Sequence, residues 1–190
     1  MVQFTNEKSY LSLLALAAAA TLNAATYKNP VLTMDFSDPD VCVGADGKYY
    51  MTASSFGGLP GLPILESDDL VNWQYVAYAI KEHPFQKGSW RRGSPEHGNA
   101  VWAPSIRRRS FWKTEESGTQ VTQVWTHEYV IYWGDPDFGV YMVKTQDPAG
   151  KWEKPVCVIR GQGYIDTTPL WDDDGRCYLV NGWANSRAKF

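Results

Sequence analysis

The chain has 190 residues, a net charge of −3, 44% hydrophobic residues and 21% charged ones. That balance excludes a disordered chain and leaves no basic footprint for nucleic acid or an anionic membrane. The length suits one ordinary domain with a sizeable core, and neutral substrates or partners are the expected kind.

Lys8 precedes an apolar run, "YLSLLALAAAATLNAAT", with the length of an export-signal core and small residues after it. It is short for a membrane span, and no second long apolar run follows. Residues 1–25 are therefore expected to be a signal peptide, cleaved between Ala20 and Ala25, with residues 26–190 as the exported portion. The expected location is secreted or periplasmic, with no membrane span after cleavage. Cys42, Cys157 and Cys177 are odd in number and lack metal-ligand spacing. Buried free thiols, or one pair and one thiol, are the expectation. No metal or cofactor is called for.

Beyond residue 26 the segments read as strands: "KYYMTAS", "LPILES", "WQYVAYAI", "EYVIYWG", "GVYMVKT", "PVCVIR" and "CYLVNGW". They are short, rich in Tyr, Val, Ile and Trp, and separated by Gly, Pro and Asp turns. None after the signal keeps a helical period, so the chain is expected to be all-β. Asp35, Asp38 and Asp40 crowd the approach to the first of them, in "MDFSDPDV".

The segments repeat. Asp38 superposes on Asp166, since each is followed nine residues later by the glycine of an Asp-Gly pair (Gly47, Gly175) and twelve residues later by a tyrosine (Tyr50, Tyr178). "WAPSI" matches "SDPDV" and sets Ala103 level with Asp38, giving steps of 65 and 63 residues. "ESDDLVNWQYV" and "KTQDPAGKWEKPV" form a second pair of landmarks. A period near 64 with several strands per unit marks a β-propeller, in which equivalent positions lie at equivalent radii. If the x-Pro-x strand is innermost, Asp38 and Asp166 both face the axis. Asp35 and Asp40 read as turn residues. The insert "RRRSFWKTEESGTQVTQVWTH" reads as a polar surface loop, Arg107 to Arg109 as a solvated face, and His97 as a solvated loop histidine.

"NPVLTMDFSDPDVCVGADGKYYMTASSF", "GLPILESDDLVNW", "AVWAPSI", "YWGDPDFGVYMVKTQDPAGKWEKPV" and "IDTTPLWDDDGRCYLVNGWANSRA" together resemble glycoside hydrolase family 43, over about residues 29–190. The resemblance implies a five-bladed β-propeller, of which about two and a half blades are present. It implies an inverting glycosidase of the β-xylosidase and α-L-arabinofuranosidase branch, exo-acting on xylo- or arabino-oligosaccharide. By motif, Asp38 of "SDPD" matches the general base and Asp166 of "IDTT" the auxiliary carboxylate that keeps the acid protonated. Phe56 of "SSF" and Trp102 of "VWAPS" match aromatic walls of the sugar subsite. An inverting enzyme needs a carboxylate base with a water on one face of the sugar and a protonated acid about 6.5–9.5 Å away. A second ionised carboxylate near that acid raises its pKa.

The chain departs from the pattern in three ways. Thr167 stands where Pro is common, and the insert after Ile106 is unusual for this branch. No "TEGP"-like motif supplies the acidic glutamate, and five units of about 64 residues would need roughly 320. The expectation is an N-terminal portion of a catalytic propeller that is inactive by itself. The other readings are a non-catalytic sugar-binding propeller fragment and a fructan-type five-bladed glycosidase, against which "SDPDV" in place of "NDPNG" argues.

Overall fold

A computed structural model describes residues 26–82 and 100–184. The expected signal peptide and His97 lie outside the described residues. Residues 26–31 fall in a separate N-terminal unit, irregular and exposed, and the architecture below is that of residues 32–184. It is all-β. The strands are β1 (Asp40–Val43), β2 (Tyr49–Thr52), β3 (Gly61–Ser67), β4 (Gln74–Ile80), β5 (Trp102–Ser117), β6 (Gln120–Asp135), β7 (Gly139–Thr145), β8 (Val156–Arg160), β9 (Tyr164–Trp171) and β10 (Cys177–Trp183). They form two antiparallel four-stranded meanders, β1-β2-β3-β4 and β5-β6-β7-β8, and a two-stranded sheet of β9 and β10. Strand β5 lies between β1 and β9, so the first strands of the three sheets are neighbours. Two blades and the inner half of a third are therefore present, as in an incomplete propeller.

The repeat read from the sequence recurs bond for bond in the turns. In the β1–β2 turn, Gly44 N–H donates to Lys48 O (2.7 Å) and Gly47 N–H to Gly44 O (3.3 Å). The β9–β10 turn repeats this with Asp172 to Arg176 (2.9 Å) and Gly175 to Asp172 (2.9 Å). Gly47 and Gly175 sit at φ 85° and 83°, a region where a side chain is strained, which is why the Asp-Gly pair recurs. The outer turns agree as well. Strands β3 and β7 end on Ser67 and Thr145, whose hydroxyls accept the N–H of Asp69 and Asp147 (3.1 Å each). The indoles of Trp73 and Trp152 then donate to the carbonyls of Leu70 (3.0 Å) and Pro148 (3.1 Å). Asp69 also accepts two backbone N–H groups and the side-chain amide of Asn72, and these, with Asn72 foremost, hold its carboxyl well below the usual range.

Side chains of a strand alternate between faces, and β6 uses both. Tyr129, Ile131 and Trp133 enter a core with Tyr50, Leu62, Ile64 and Ile80 of the first blade. Val130 and Tyr132 enter a second cluster against Tyr164, Trp171 and Leu179 of the third. The middle blade is thus buried on both faces, and the inner half of β6 reads as an unbroken buried run. In the two-stranded sheet Leu170, Tyr178 and Val180 are exposed, and among the described residues β10 has no partner on its outer edge. Such an edge favours pairing with another chain.

The insert after Ile106 is not a loop. It extends β5 and β6 into one long hairpin, paired without a break from Ser105↔Tyr132 to Ser117↔Gln120. Gly118, at φ 62°, begins the two-residue turn, as a tight hairpin requires. Trp112 and Trp125 are cross-strand partners, packed edge to face at 5.1 Å, and contribute about 0.5–1.5 kcal/mol although 64% and 57% exposed. Charged residues hid this strand in the sequence, because their alternation faces solvent on both sides. Arg107 and Arg109 are not merely solvated either. Arg109 bonds Glu128 Oε1 (2.6 Å from Nε) and lies over the rings of Phe111 (4.6 Å) and Trp171 (5.3 Å). Arg107 bonds Asp40 and Thr168.

All three cysteines are free, but none is fully buried: Cys42 and Cys157 are half-buried and Cys177 is exposed. Burial, reinforced by the charge of Asp40, pushes the Cys42 thiol up to about 12. The thiolate is the reactive form. At pH 8 a maleimide is expected to label Cys177 in the folded chain and to reach Cys42 only after denaturant is added, as peptide mass mapping would show. In urea titrations followed by circular dichroism, Ile131→Ala is expected to cost about 2–5 kcal/mol, as for a large-to-small change in a sealed core. Trp112→Ala should cost no more than about 1.5 kcal/mol.

Candidate active site

Three positions set level by the sequence repeat, Asp38, Ala103 and Asp166, share one backbone conformation. Their φ angles are 50°, 34° and 52°. A positive φ is uncommon for residues other than glycine and is held only where surrounding structure over-determines it. Each lies two residues before a link in a polar circuit that joins the blades. Asp40, Ser105 and Thr168 are spaced 65 and 63 residues apart and meet directly. Ser105 Oγ donates to Asp40 Oδ2 (3.1 Å), as does the Ile106 N–H (2.8 Å). With its only proton committed, the Ser105 hydroxyl accepts from Thr168 Oγ1 (2.8 Å). Thr168 in turn accepts from Arg107 Nη2 (3.0 Å), and Arg107 Nη1 closes the circuit on Asp40.

Asp40 is therefore not a turn residue. It opens β1 and pairs with Thr52. Sequence reading missed it because its partners are 65 to 67 residues away; the signal that could have found it is the shared register with Ser105 and Thr168. Asp35 does stay in the exposed approach, where Ser37 Oγ bonds it at 3.4 Å.

Asp38 and Asp166 are both exposed. Asp38 Oδ2 accepts from Ser54 Oγ at 2.7 Å, and Ser54 Oγ accepts the Ala103 N–H at 2.8 Å. The first and second blades thus meet at the Asp38 carboxylate through one hydroxyl. Asp166 stands close to Gly182, where an added Cβ would lie 3.0 Å from Asp166 Oδ2. Thr167 points the other way into the fold, fully buried, and its hydroxyl donates to Asn181 Oδ1 at 2.6 Å. A threonine there is satisfied without disturbing Asp166.

Phe56 and Trp102 come together through the chain. Phe56 and Val101 form an isolated antiparallel bridge, with Phe56 N–H to Val101 O at 3.1 Å and Val101 N–H to Phe56 O at 3.4 Å. Phe56 has φ 49° and Trp102 follows Val101, so both aromatics flank the join between blades, each half-buried. Asp38, Ser54, Phe56 and Trp102 therefore lie around one junction, and Asp166 holds the equivalent place one blade beyond Ala103. Two exposed carboxylates, a polar hydroxyl and two aromatic side chains at one end of the inner strands can hold a polar ligand and exchange protons with it. Ser54 was not singled out in the sequence.

Comparison with known proteins gives this arrangement a context. Residues 27–190 match the family described as glycosyl hydrolases family 43. A non-reducing end α-L-arabinofuranosidase of Bacteroides ovatus is 31% identical over 168 residues, 86% of this chain and 27% of that protein. A β-xylosidase of Bacillus subtilis is 33% identical over 157 residues, 80% of this chain and 26% of that protein. Among solved structures, a GH43 protein from Bacillus licheniformis matches with a TM-score of 0.58 and 28% identity, over 83% of this chain and 29% of its own. The chain thus spans about a quarter of the length of these curated relatives.

The circuit predicts a specific sensitivity. Ser105→Ala removes the shared hydroxyl and should lower stability by about 1–2 kcal/mol, because Thr168 and Asp40 each lose one of their partners. Arg108→Ala, on the exposed face between, should change it by less than about 0.5 kcal/mol in the same urea titration.

Proposed function

Because the chain belongs to glycosyl hydrolase family 43, we propose that it carries the base side of an inverting glycoside hydrolase acting on xylose- or arabinose-containing chains. The observation that carries this reading is the pair of aspartates 128 residues apart in one strained backbone position, Asp38 two residues before the inner strand of the first blade and Asp166 on that of the third. Carboxylates placed for solubility have no need of a φ near 50° or of matched registers.

In this reading Asp38 is the general base. One oxygen is held by Ser54 and the other takes the proton of a water that attacks the anomeric carbon from the face opposite the leaving group. Asp166 is the auxiliary carboxylate, whose charge disfavours ionisation of a neighbouring acid and keeps it able to protonate the leaving oxygen. Phe56 and Trp102 offer the apolar face of the sugar a rigid platform. The ligand class, a neutral xylo- or arabino-oligosaccharide, agrees with the absence of a basic patch in the composition and with the printed names of the relatives. The apolar N-terminal run supports export to the periplasm or beyond.

No residue of this chain matches the family's acid, and general acid catalysis typically contributes about 10²–10⁴-fold. The test compares two xylosides, one with an activated aryl leaving group and one with an alkyl sugar. Turnover is expected for the aryl substrate only, and Asp38→Asn should abolish it. Hydrolysis of the alkyl substrate that survives Asp38→Asn would contradict both the assignment of the base and the account of the acid.

A further inference from the structure

Asp38 and Asp166 occupy equivalent positions, yet the reading above gives them different roles. The strand pairings show what sets them apart. Asp40 pairs with Thr52 in the first blade and Thr168 with Val180 in the third, so the second strands align Thr52 with Val180 and Ser54 with Gly182. Ser105 pairs with Tyr132 in the middle blade, which puts Gly134 at the same place. The three blades therefore carry Ser, Gly and Gly at one structural position. In the third blade the carboxylate stands over that position, 3.0 Å from where a Cβ would be, with no side chain to hold it. In the first blade the side chain is present and bonds the carboxylate at 2.7 Å.

We propose that Ser54 is a positioning residue that fixes the Asp38 carboxylate as the base, a part that Asp166 cannot take because Gly182 stands in the equivalent place. The proposal rests on the reading of Asp38 as general base. Its physical content is directional. The Ala103 N–H can only donate, so it occupies a lone pair of Ser54 Oγ and turns the hydroxyl proton toward Asp38 Oδ2. Oδ2 is thereby committed as an acceptor. Oδ1 has no hydrogen-bond partner among the described residues and is the atom left to receive a proton from water. Ser54 is itself anchored, since its N–H donates to Ser37 O at 2.9 Å, one residue before Asp38. A carboxylate held at one oxygen by a tethered hydroxyl keeps its second oxygen in one place, which a base acting on a single water needs. The middle blade supplies a backbone N–H where its neighbours supply carboxylates, so Ala103 takes part through its main chain.

The test uses the full chain and four variants: Ser54→Ala, Ser54→Thr, Asp38→Asn, and Ser54→Ala combined with Asp38→Asn. One readout is turnover of the activated aryl xyloside. The other is the ¹H–¹⁵N resonance of the Ala103 amide, followed across the pH range in which carboxylates titrate. Ser54→Ala is expected to lower kcat by about 10- to 100-fold with KM little changed. Ser54→Thr, which keeps the hydroxyl, should recover most of the rate, and Ser54→Ala should cost nothing further once Asp38 is Asn. The Ala103 amide should show a titration step relayed through the hydroxyl, kept in Ser54→Thr and lost in Ser54→Ala and in Asp38→Asn. A step that survives Ser54→Ala overturns the proposal, and so does a rate loss of equal size on both backgrounds. If Asp38→Asn leaves turnover intact, the base reading itself falls and the proposal with it; that outcome is recognised by an amide step that still depends on Ser54 while the rate does not. If the chain turns over no aryl xyloside, the amide step alone decides whether Ser54 holds the carboxylate.

Discussion

The Ser105 hydroxyl joins all three blades. It donates to Asp40 of the first and accepts from Thr168 of the third, while Arg107 bonds both of its partners and closes the loop. None of these bonds needs to be strong. Asp40 and Arg107 are partly exposed, so each bond contributes on the order of 1 kcal/mol or less after solvent screening. Their effect is on register. A strand that slips by one residue turns every side chain to the opposite face, and here such a slip would replace the circuit with apolar neighbours such as Val41, Ile106 and Pro169. The circuit is satisfied in one alignment of the inner strands.

That alignment also places the candidate site. Asp38, Ala103 and Asp166 each lie two residues upstream of a member of the circuit and share a left-handed φ. Once Asp40, Ser105 and Thr168 are side by side, the three upstream positions emerge at one end of the inner strands. The core enforces the same arrangement from outside. The middle blade is buried against the first through Ile131 and Trp133 and against the third through Val130 and Tyr132, so neither neighbour can rotate without opening an apolar interface. Polar register near the axis and apolar burial between the blades therefore support one geometry.

Much of this was legible in the sequence because it depends on local turn chemistry. The Asp-Gly pairs at Gly47 and Gly175 and the Ser/Thr–Asp–Trp turns at residues 67–73 and 145–152 form their bonds within a few residues. Their spacing alone sufficed to superpose Asp38 on Asp166. What stayed hidden is non-local. Asp40 reads as another turn carboxylate until its partners across the blades are known, and Arg107 reads as a solvated charge for the same reason. The β5–β6 extension carries "RRRSFWKTEES", in which charges outnumber strand formers, and it is held as a hairpin by cross-strand pairing and by the Trp112–Trp125 contact rather than by burial. Ser54 lay in plain view within "TASSF", but its equivalence to Gly182 of the third blade follows only from the pairing of the second strands.

The central claim is that the inner strands of successive blades stand in one register about a common axis. Cysteine cross-linking measures it most directly, in a chain with Cys42, Cys157 and Cys177 replaced by serine and with Ser105→Cys and Thr168→Cys introduced together. The two hydroxyl oxygens lie 2.8 Å apart, close enough for the cysteine sulfurs to be joined by a bond of about 2.05 Å with little movement. Mild oxidation of the folded chain should give an intramolecular 105–168 disulfide, identified by mass spectrometry of the unreduced digest, and none in the offset pair Ile106→Cys with Thr168→Cys. Failure of the 105–168 pair to link while the chain remains folded, or equally rapid linking of the offset pair, would contradict the register and with it the placement of Asp38 and Asp166.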